Sequence, residues 1–421
     1  MTLALPVRAA ETEHRALLRT ARDVAEDLAA DAIARDRTGA PPLDEAARLR
    51  EAGLLAALTP PGPDRGTDWR TGCAVIREIS AADSSVGEVL ARHYANAWSG
   101  RFFADGPRAD ELEEESLRGQ WLWTGALRGP APEDGTGPAD LTLRRRGTGY
   151  LISGRRAVAT AVTVADQILV DALCPATGDV LVLRIAPGAR GVSLEPAPDR
   201  LGQRVAGAGE LVLDRVTVPA RLILGRRPQD EEPAAPGTAL AGPALRLALC
   251  HVGLGIVEGA LTEARDLSRG GHGHRSPGGD PDLLLTYGEL ATAAQTATAV
   301  VHRATDVLAA ALGAGPHLGT GRHADTGPHL DHGARPGTGA HLGTDDPATV
   351  AALVATAENV TSKAALDITT RVLELADAPG LDRFWRNARV LTAHHPATTR
   401  LRSIGEHYLN ASHRVVAAAF H

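Results

Sequence analysis

The sequence predicts an α+β protein with a helical N-terminal domain, a central antiparallel β-domain and a C-terminal four-helix bundle. Three observations predict it. Apolar residues recur at three- and four-residue spacing through 1–118, the period of a helix with one buried face. Short runs rich in Val, Leu and Ile, separated by Gly, Pro and Asp, then fill 119–232. From 233 to 421 the helical period returns in longer runs, interrupted by one Gly- and His-rich stretch.

Residues 9–35 read as a helix because Ala and Leu recur at helical spacing among Glu, Arg and Asp. Pro41-Pro42 breaks it, and 43–58 forms a second helix that stops before Pro60-Pro61. Residues 69–80 and 85–103 give two more. The second is entered through Asp83-Ser84-Ser85, whose side-chain oxygens suit the unpaired N–H groups of a first turn. It carries Leu90, His93, Tyr94, Ala97 and Trp98 near one face. A histidine on an apolar helix face is ordinarily a core residue, and spacing alone gives His93 no more than that.

The strand-like runs are 120–126, 141–145, 150–153, 168–173, 180–185, 192–195 and 210–216. Helices follow at 245–268, 281–312 and 350–378, with the last elements from Leu381 onward. Residues 313–346 hold the near-repeats Gly315-Pro316-His317-Leu318, Gly327-Pro328-His329-Leu330 and Ala340-His341-Leu342-Gly343. Their apolar content is too low to order a core, so a disordered loop is expected. His317, His323, His329, His332 and His341 lack the regular spacing that fixes coordination, and no metal site is expected there.

Composition narrows the function. A formal charge of −7 argues against nucleic acid as the main partner, because phosphate binding needs concentrated basic charge. Cys73, Cys174 and Cys250 are far apart in apolar settings, which disfavours both a disulfide framework and a cysteine zinc site. The first residues mix Glu11, Glu13 and arginines without a long apolar run, unlike a signal peptide. No run of about 18 apolar residues calls for a membrane. A cytoplasmic protein is expected.

The most informative stretch is 381–396. Phe384 and Trp385 sit beside Arg383, Arg386 and Arg389, and His394-His395-Pro396 follows. Read alone, it is either an anion site walled by aromatics or a surface helix with solvated arginines.

Several motifs resemble those of the acyl-CoA dehydrogenase superfamily along nearly the whole chain. They are Leu49-Arg50-Glu51-Ala52-Gly53-Leu54-Leu55, Ala82-Asp83-Ser84-Ser85-Val86-Gly87, and Leu201-Gly202-Gln203-Arg204 followed by Leu213-Asp214-Arg215-Val216-Thr217-Val218-Pro219. Leu254-Gly255-Ile256-Val257-Glu258-Gly259-Ala260-Leu261 comes next in order. Within the superfamily, Arg386-Asn387-Ala388-Arg389 with His394-His395-Pro396 is similar to the dibenzothiophene monooxygenase-like branch, as are Tyr287-Gly288-Glu289-Leu290 and His93. That branch also holds amine N-hydroxylases and amino-sugar nitrososynthases.

The resemblance implies an enzyme that takes reduced FMN from a separate NAD(P)H-dependent reductase and oxidises N, S or aromatic C of a small molecule through a flavin C4a-hydroperoxide. It implies His394 as base or hydrogen-bond donor, His93 on the substrate side and Thr160 beside the flavin ring. Trp123 and Thr124 of the first strand are further cofactor contacts. Arg275 is a candidate for the flavin phosphate, with Arg386 and Arg389 as runners-up, and a homotetramer is expected. Against dehydrogenation, 391–399 has no Asp or Glu to act as base, Leu245 stands at the alternative base position, and the glycine-rich contacts to FAD are missing. Other departures concern the oxygenase reading itself: Gly125-Ala126-Leu127, Ala208 and Leu391 replace polar residues of the branch. An FAD-dependent acyl-CoA dehydrogenase or oxidase, or a non-catalytic member of the fold, is the alternative.

Overall fold

A computed structural model describes residues 4–58, 68–126, 140–197, 199–228, 234–271, 280–313, 346–375, 378–393 and 397–410. The expected disordered loop 313–346 lies almost wholly outside these residues.

Helices open the chain: α1 (Ala4–Ala29), α2 (Ala32–Thr38), α3 (Leu43–Glu51), α4 (Trp69–Ala82), α5 (Ser84–Ala97), α6 (Ser99–Phe103) and α7 (Gly106–Arg118). The single helix expected over 9–35 is two, and one side chain accounts for the break. Arg35 donates to the Leu28 carbonyl at 2.6 Å and to Asp83 at 2.8 Å, so the end of α1 is capped from α2 instead of continuing. Asp83 also caps α5 as foreseen, accepting from Ser85 N and Val86 N. The helix expected over 85–103 bends at Trp98, whose indole N–H donates to the Leu58 carbonyl at 2.9 Å. Helix α7 was not foreseen because its sequence is dense in charge, and only Ala109, Leu112 and Glu113 are buried.

The strands are β1 (Trp123–Ala126), β2 (Leu141–Arg146), β3 (Gly149–Val158), β4 (Gln167–Leu173), β5 (Val180–Ile185), β6 (Val192–Pro196), β7 (Gly209–Val218) and β8 (Ile223–Arg226). They form one sheet in the order β6-β7-β3-β2-β4-β5-β8, with β1 pairing β4 off this path. The all-antiparallel expectation needs correction, since β1 runs parallel to β4 with Trp123 opposite Gln167. A parallel pair requires a long crossover, and β2 and β3 lie within the chain that joins these two strands. Leu143, Ile152, Ile168, Val170, Leu183 and Leu211 fill the core beneath the sheet.

The C-terminal region has α8 (Pro236–Gly271), α9 (Pro281–Gly313), α10 (Pro347–Leu375), α11 (Asp382–Thr392) and α12 (Ala397–Asn410). Helix α8 is the axle, packed on α4, α5, α9 and α10. By length and composition alone it would pass for a membrane span, yet 72% of its most apolar window is buried inside the protein. Its apolarity belongs to a helix surrounded by helices.

Arginine ion pairs join distant elements: Arg50 to Asp166, Arg70 to Asp306, Arg77 to Glu258 and Arg383 to Glu263. The joint nearest the site is Asn387 of α11. Its Oδ1 accepts from the Gln203 backbone N–H at 2.7 Å, and its Nδ2 donates to Ser84 Oγ at 2.9 Å. One buried carboxamide thus ties α11 to the loop before β7 and to the start of α5. Gly202 lets them approach, because a β-carbon there would collide with the backbone of Arg386 and Asn387. Asn387→Ala leaves a buried N–H and a buried hydroxyl without these partners. It is expected to lower unfolding free energy by on the order of 3 kcal/mol in urea titrations, whereas a loss under about 0.5 kcal/mol would mean the joint is held elsewhere.

Candidate functional site

Successive side chains of a strand face opposite ways, and β1 uses both faces. Trp123 turns its indole into a core with Leu112, Leu169, Val182 and Leu224, and Nε1 donates to Ser116 Oγ at 2.8 Å. Trp123, expected as a cofactor contact, thus has its indole packed in this core. Its backbone N–H donates to His93 Nδ1 at 3.0 Å, while His93 Nε2 meets the Leu55 carbonyl at 2.7 Å. These partners require the neutral tautomer with the proton on Nε2. Burial pushes the His93 pKa down to about 4, against a smaller upward pull from the Leu55 carbonyl. Both ring nitrogens hold backbone, so His93, expected on the substrate side, locks β1 against the turn after α3.

Thr124 faces the other way. Its Oγ1 donates to the Thr160 carbonyl at 2.5 Å, which brings two of the sequence candidates together. Thr160 is fully buried, and its own Oγ1 has no hydrogen-bond partner. The next residue, Ala161, has φ +53°, a left-handed backbone that a non-glycine residue seldom adopts. Two hydrogen bonds hold it there, Ala161 N to the Ala206 carbonyl at 2.7 Å and Val162 N to the Gly207 carbonyl at 2.8 Å. Arg200 bridges the same two segments by donating to the carbonyls of Ala159 and Gln203.

Gln203 completes the cluster and was not singled out from the sequence. It is fully buried with φ +51°, and neither its Oε1 nor its Nε2 has a hydrogen-bond partner. Its only legible signal was its place inside Leu201-Gly202-Gln203-Arg204, noted for resemblance and not for chemistry. Thr160 and Gln203 together leave three buried polar atoms unmet. A buried polar atom left without a partner costs about 1–3 kcal/mol.

The remaining candidates separate. Arg386 donates to Asp36, to Asp382 at 2.8 Å and to the Leu201 carbonyl at 3.0 Å. Its guanidinium is a clamp between α2, α11 and the 201–203 loop, the ion-paired alternative to the runner-up role at a phosphate. Arg383 pairs with Glu263 and lies 4.1 Å above the Phe384 ring. Arg389 is exposed. His394, Arg275 and Leu127 lie outside the described residues. The Cys73 and Cys250 thiols are buried and pushed up by that burial, which disqualifies them as nucleophiles. Among the described residues no three His, Cys, Asp or Glu side chains gather as a metal site.

Residues 11–98 match the acyl-CoA dehydrogenase N-terminal domain family. The chain has the acyl-CoA dehydrogenase fold. It is 28% identical to a probable FMNH2-dependent monooxygenase, SfnC of Pseudomonas putida, over 95% of this chain and 96% of that protein. The methanesulfinate monooxygenase MsuC of Pseudomonas fluorescens superposes with a TM-score of 0.79 at 27% identity, covering 94% of this chain and 97% of that one. FMN-bound TdsC of Paenibacillus sp. A11-2, a dibenzothiophene monooxygenase, gives a TM-score of 0.78 at 26% identity over 94% and 98%.

The geometry at His93 sets a pH dependence of stability. The unfolded chain protonates a histidine near pH 6.5 and the folded one near 4, so the unfolded state binds more protons in between. Stability is complete above about 6.5 and falls as pH drops toward 4, by on the order of 3 kcal/mol for this residue. In urea titrations across that range, His93→Gln should be less stable at pH 7.5 and lose stability less steeply below 6.5. An unchanged slope would exclude His93 as the source.

Proposed function

We propose that this protein is a reduced-FMN-dependent monooxygenase that transfers one atom of dioxygen to nitrogen, sulfur or aromatic carbon of a small molecule. The observation that carries the reading is the trio of unmet buried atoms, Thr160 Oγ1 and both amide atoms of Gln203. A hydroxyl and a carboxamide, both donors and acceptors, match the alternating carbonyl and N–H edge of a flavin. Thr160 and Gln203, with Thr124 behind them, would hold the ring, and Arg275 its phosphate. Reduced FMN, when bound, supplies the two electrons that oxygen activation requires.

The protein's own part is to orient, to exclude water and to place a proton. Thr160 Oγ1 donates a hydrogen bond inside an apolar enclosure, where such a bond is stronger than in water. His394 supplies the proton donor or acceptor at the substrate. The lack of a carboxylate in 391–399 supports oxygen chemistry over removal of a proton beside a thioester. A separate NAD(P)H-dependent reductase furnishes the reduced flavin, and assembly as a homotetramer and a cytoplasmic setting complete the reading.

The test is turnover under ¹⁸O₂ with enzymatically supplied reduced FMN, expecting one labelled oxygen in the product. Oxidation of an acyl-CoA with FAD, and no labelled product, would overturn it. Thr160→Val keeps shape and removes the hydroxyl. It should lower kcat by at least about tenfold while raising the stability of the flavin-free protein by about 1 kcal/mol, because an unmet buried donor is gone.

A further inference from the structure

We propose that a small solvent-open cleft between α8, α10 and the end of α11 is a subsite for the charged end of a small organic monoanion, a carboxylate, sulfinate or sulfonate. This deepens the function proposed above by naming a substrate class, and it rests on that reading only for the identity of the anion as substrate. Arg246 lines the cleft from α8 and forms no ion pair with any described residue. The second arginine nearby, Arg400, is engaged with Glu358 at 3.4 Å. Arg246 and Arg400 against Glu358 leave a net single positive charge among these three groups, and the Cys250 thiol on the cleft wall is neutral because burial raises its pKa.

Hydroxyl donors complete the subsite. Thr356, Thr369 and Thr370 of α10 donate back to helix carbonyls four residues earlier, the usual refuge of a helical threonine. Thr361 does not: it is buried, and its Oγ1 has no hydrogen-bond partner. Ser362 lies beside it on the cleft wall. Gly253 keeps the space open, since a β-carbon there would come within 2.7 Å of Thr361 Cγ2. Leu249, Ala365 and Leu391 supply apolar wall for a short alkyl or aryl body. Leu391 and Thr392 also bring the cleft to the last turn of α11, immediately before the segment that holds His394. Glu358 on the same wall disfavours a dianion, which separates this site from one built for the flavin phosphate.

Calorimetry on the flavin-free full chain tests the assignment with methanesulfonate, its neutral counterpart dimethyl sulfone, and FMN as competitor. Methanesulfonate is expected to bind, and Arg246→Gln to weaken it at least about tenfold without changing affinity for dimethyl sulfone. Thr361→Val should weaken it by about threefold or more, and Thr361→Ser should restore it. No binding to the wild-type chain, equal binding by Arg246→Gln, or displacement of methanesulfonate by FMN would each overturn the proposal. The measurement uses neither reduced flavin nor oxygen. Failure here therefore leaves oxygen transfer standing, and failure of the labelled-oxygen experiment leaves the anion site standing.

Discussion

The side-chain carboxamide of Asn387 is the constraint on which the site depends. It reads a backbone N–H of the 201–203 loop on one side and a hydroxyl of α5 on the other. Through the loop it fixes Gln203, and through Arg200 and the Ala206 and Gly207 carbonyls it fixes the Thr160–Ala161 turn. Neither end of that chain is relaxed, since Ala161 and Gln203 both hold left-handed backbones. Strain of this kind persists only where surrounding contacts over-determine it, and it concentrates at ligand sites. An isolated β-domain would have no reason to keep Thr160 aimed as it is. The helical region supplies the restraint.

Much of the fold was legible because burial imposes periodicity. Helices α4, α5, α8, α9 and α10 each carry an apolar pattern that only one secondary structure can bury, and their expected and observed spans overlap over most of their length. Breaks were less legible because tertiary contacts make them: Arg35 ends α1 and Trp98 ends α5 through partners far away in sequence. The parallel pairing of β1 with β4 was hidden for the same reason, since strand direction is not encoded in alternation.

The site was legible unevenly. Thr160 and Thr124 were singled out separately, and only the fold could reveal that they are hydrogen-bonded and that the Thr160 hydroxyl lacks a partner. His93, Trp123 and Arg386 drew attention as unusual residues in suggestive motifs, yet their side chains do structural work. A motif marks a residue that matters without saying whether it matters to chemistry or to the joint that supports it. Gln203 is the converse case. A glutamine in a glycine-containing loop looks solvated, and only its burial between α11 and the Thr160 turn makes it a ligand candidate.

The arginine pairs that join the elements have a consequence for how the fold meets alkali. Lys363 is the chain's single lysine, so the cross-braces from Arg50, Arg70, Arg77, Arg383 and Arg386 contain no amine. Guanidinium keeps its charge well past the range where an ammonium would surrender its proton. Solutions basic enough to discharge a lysine-braced scaffold would leave these struts electrically intact. The same scarcity of amines leaves acylating and amine-coupling reagents almost nothing on this surface to attack besides the chain's own N-terminus.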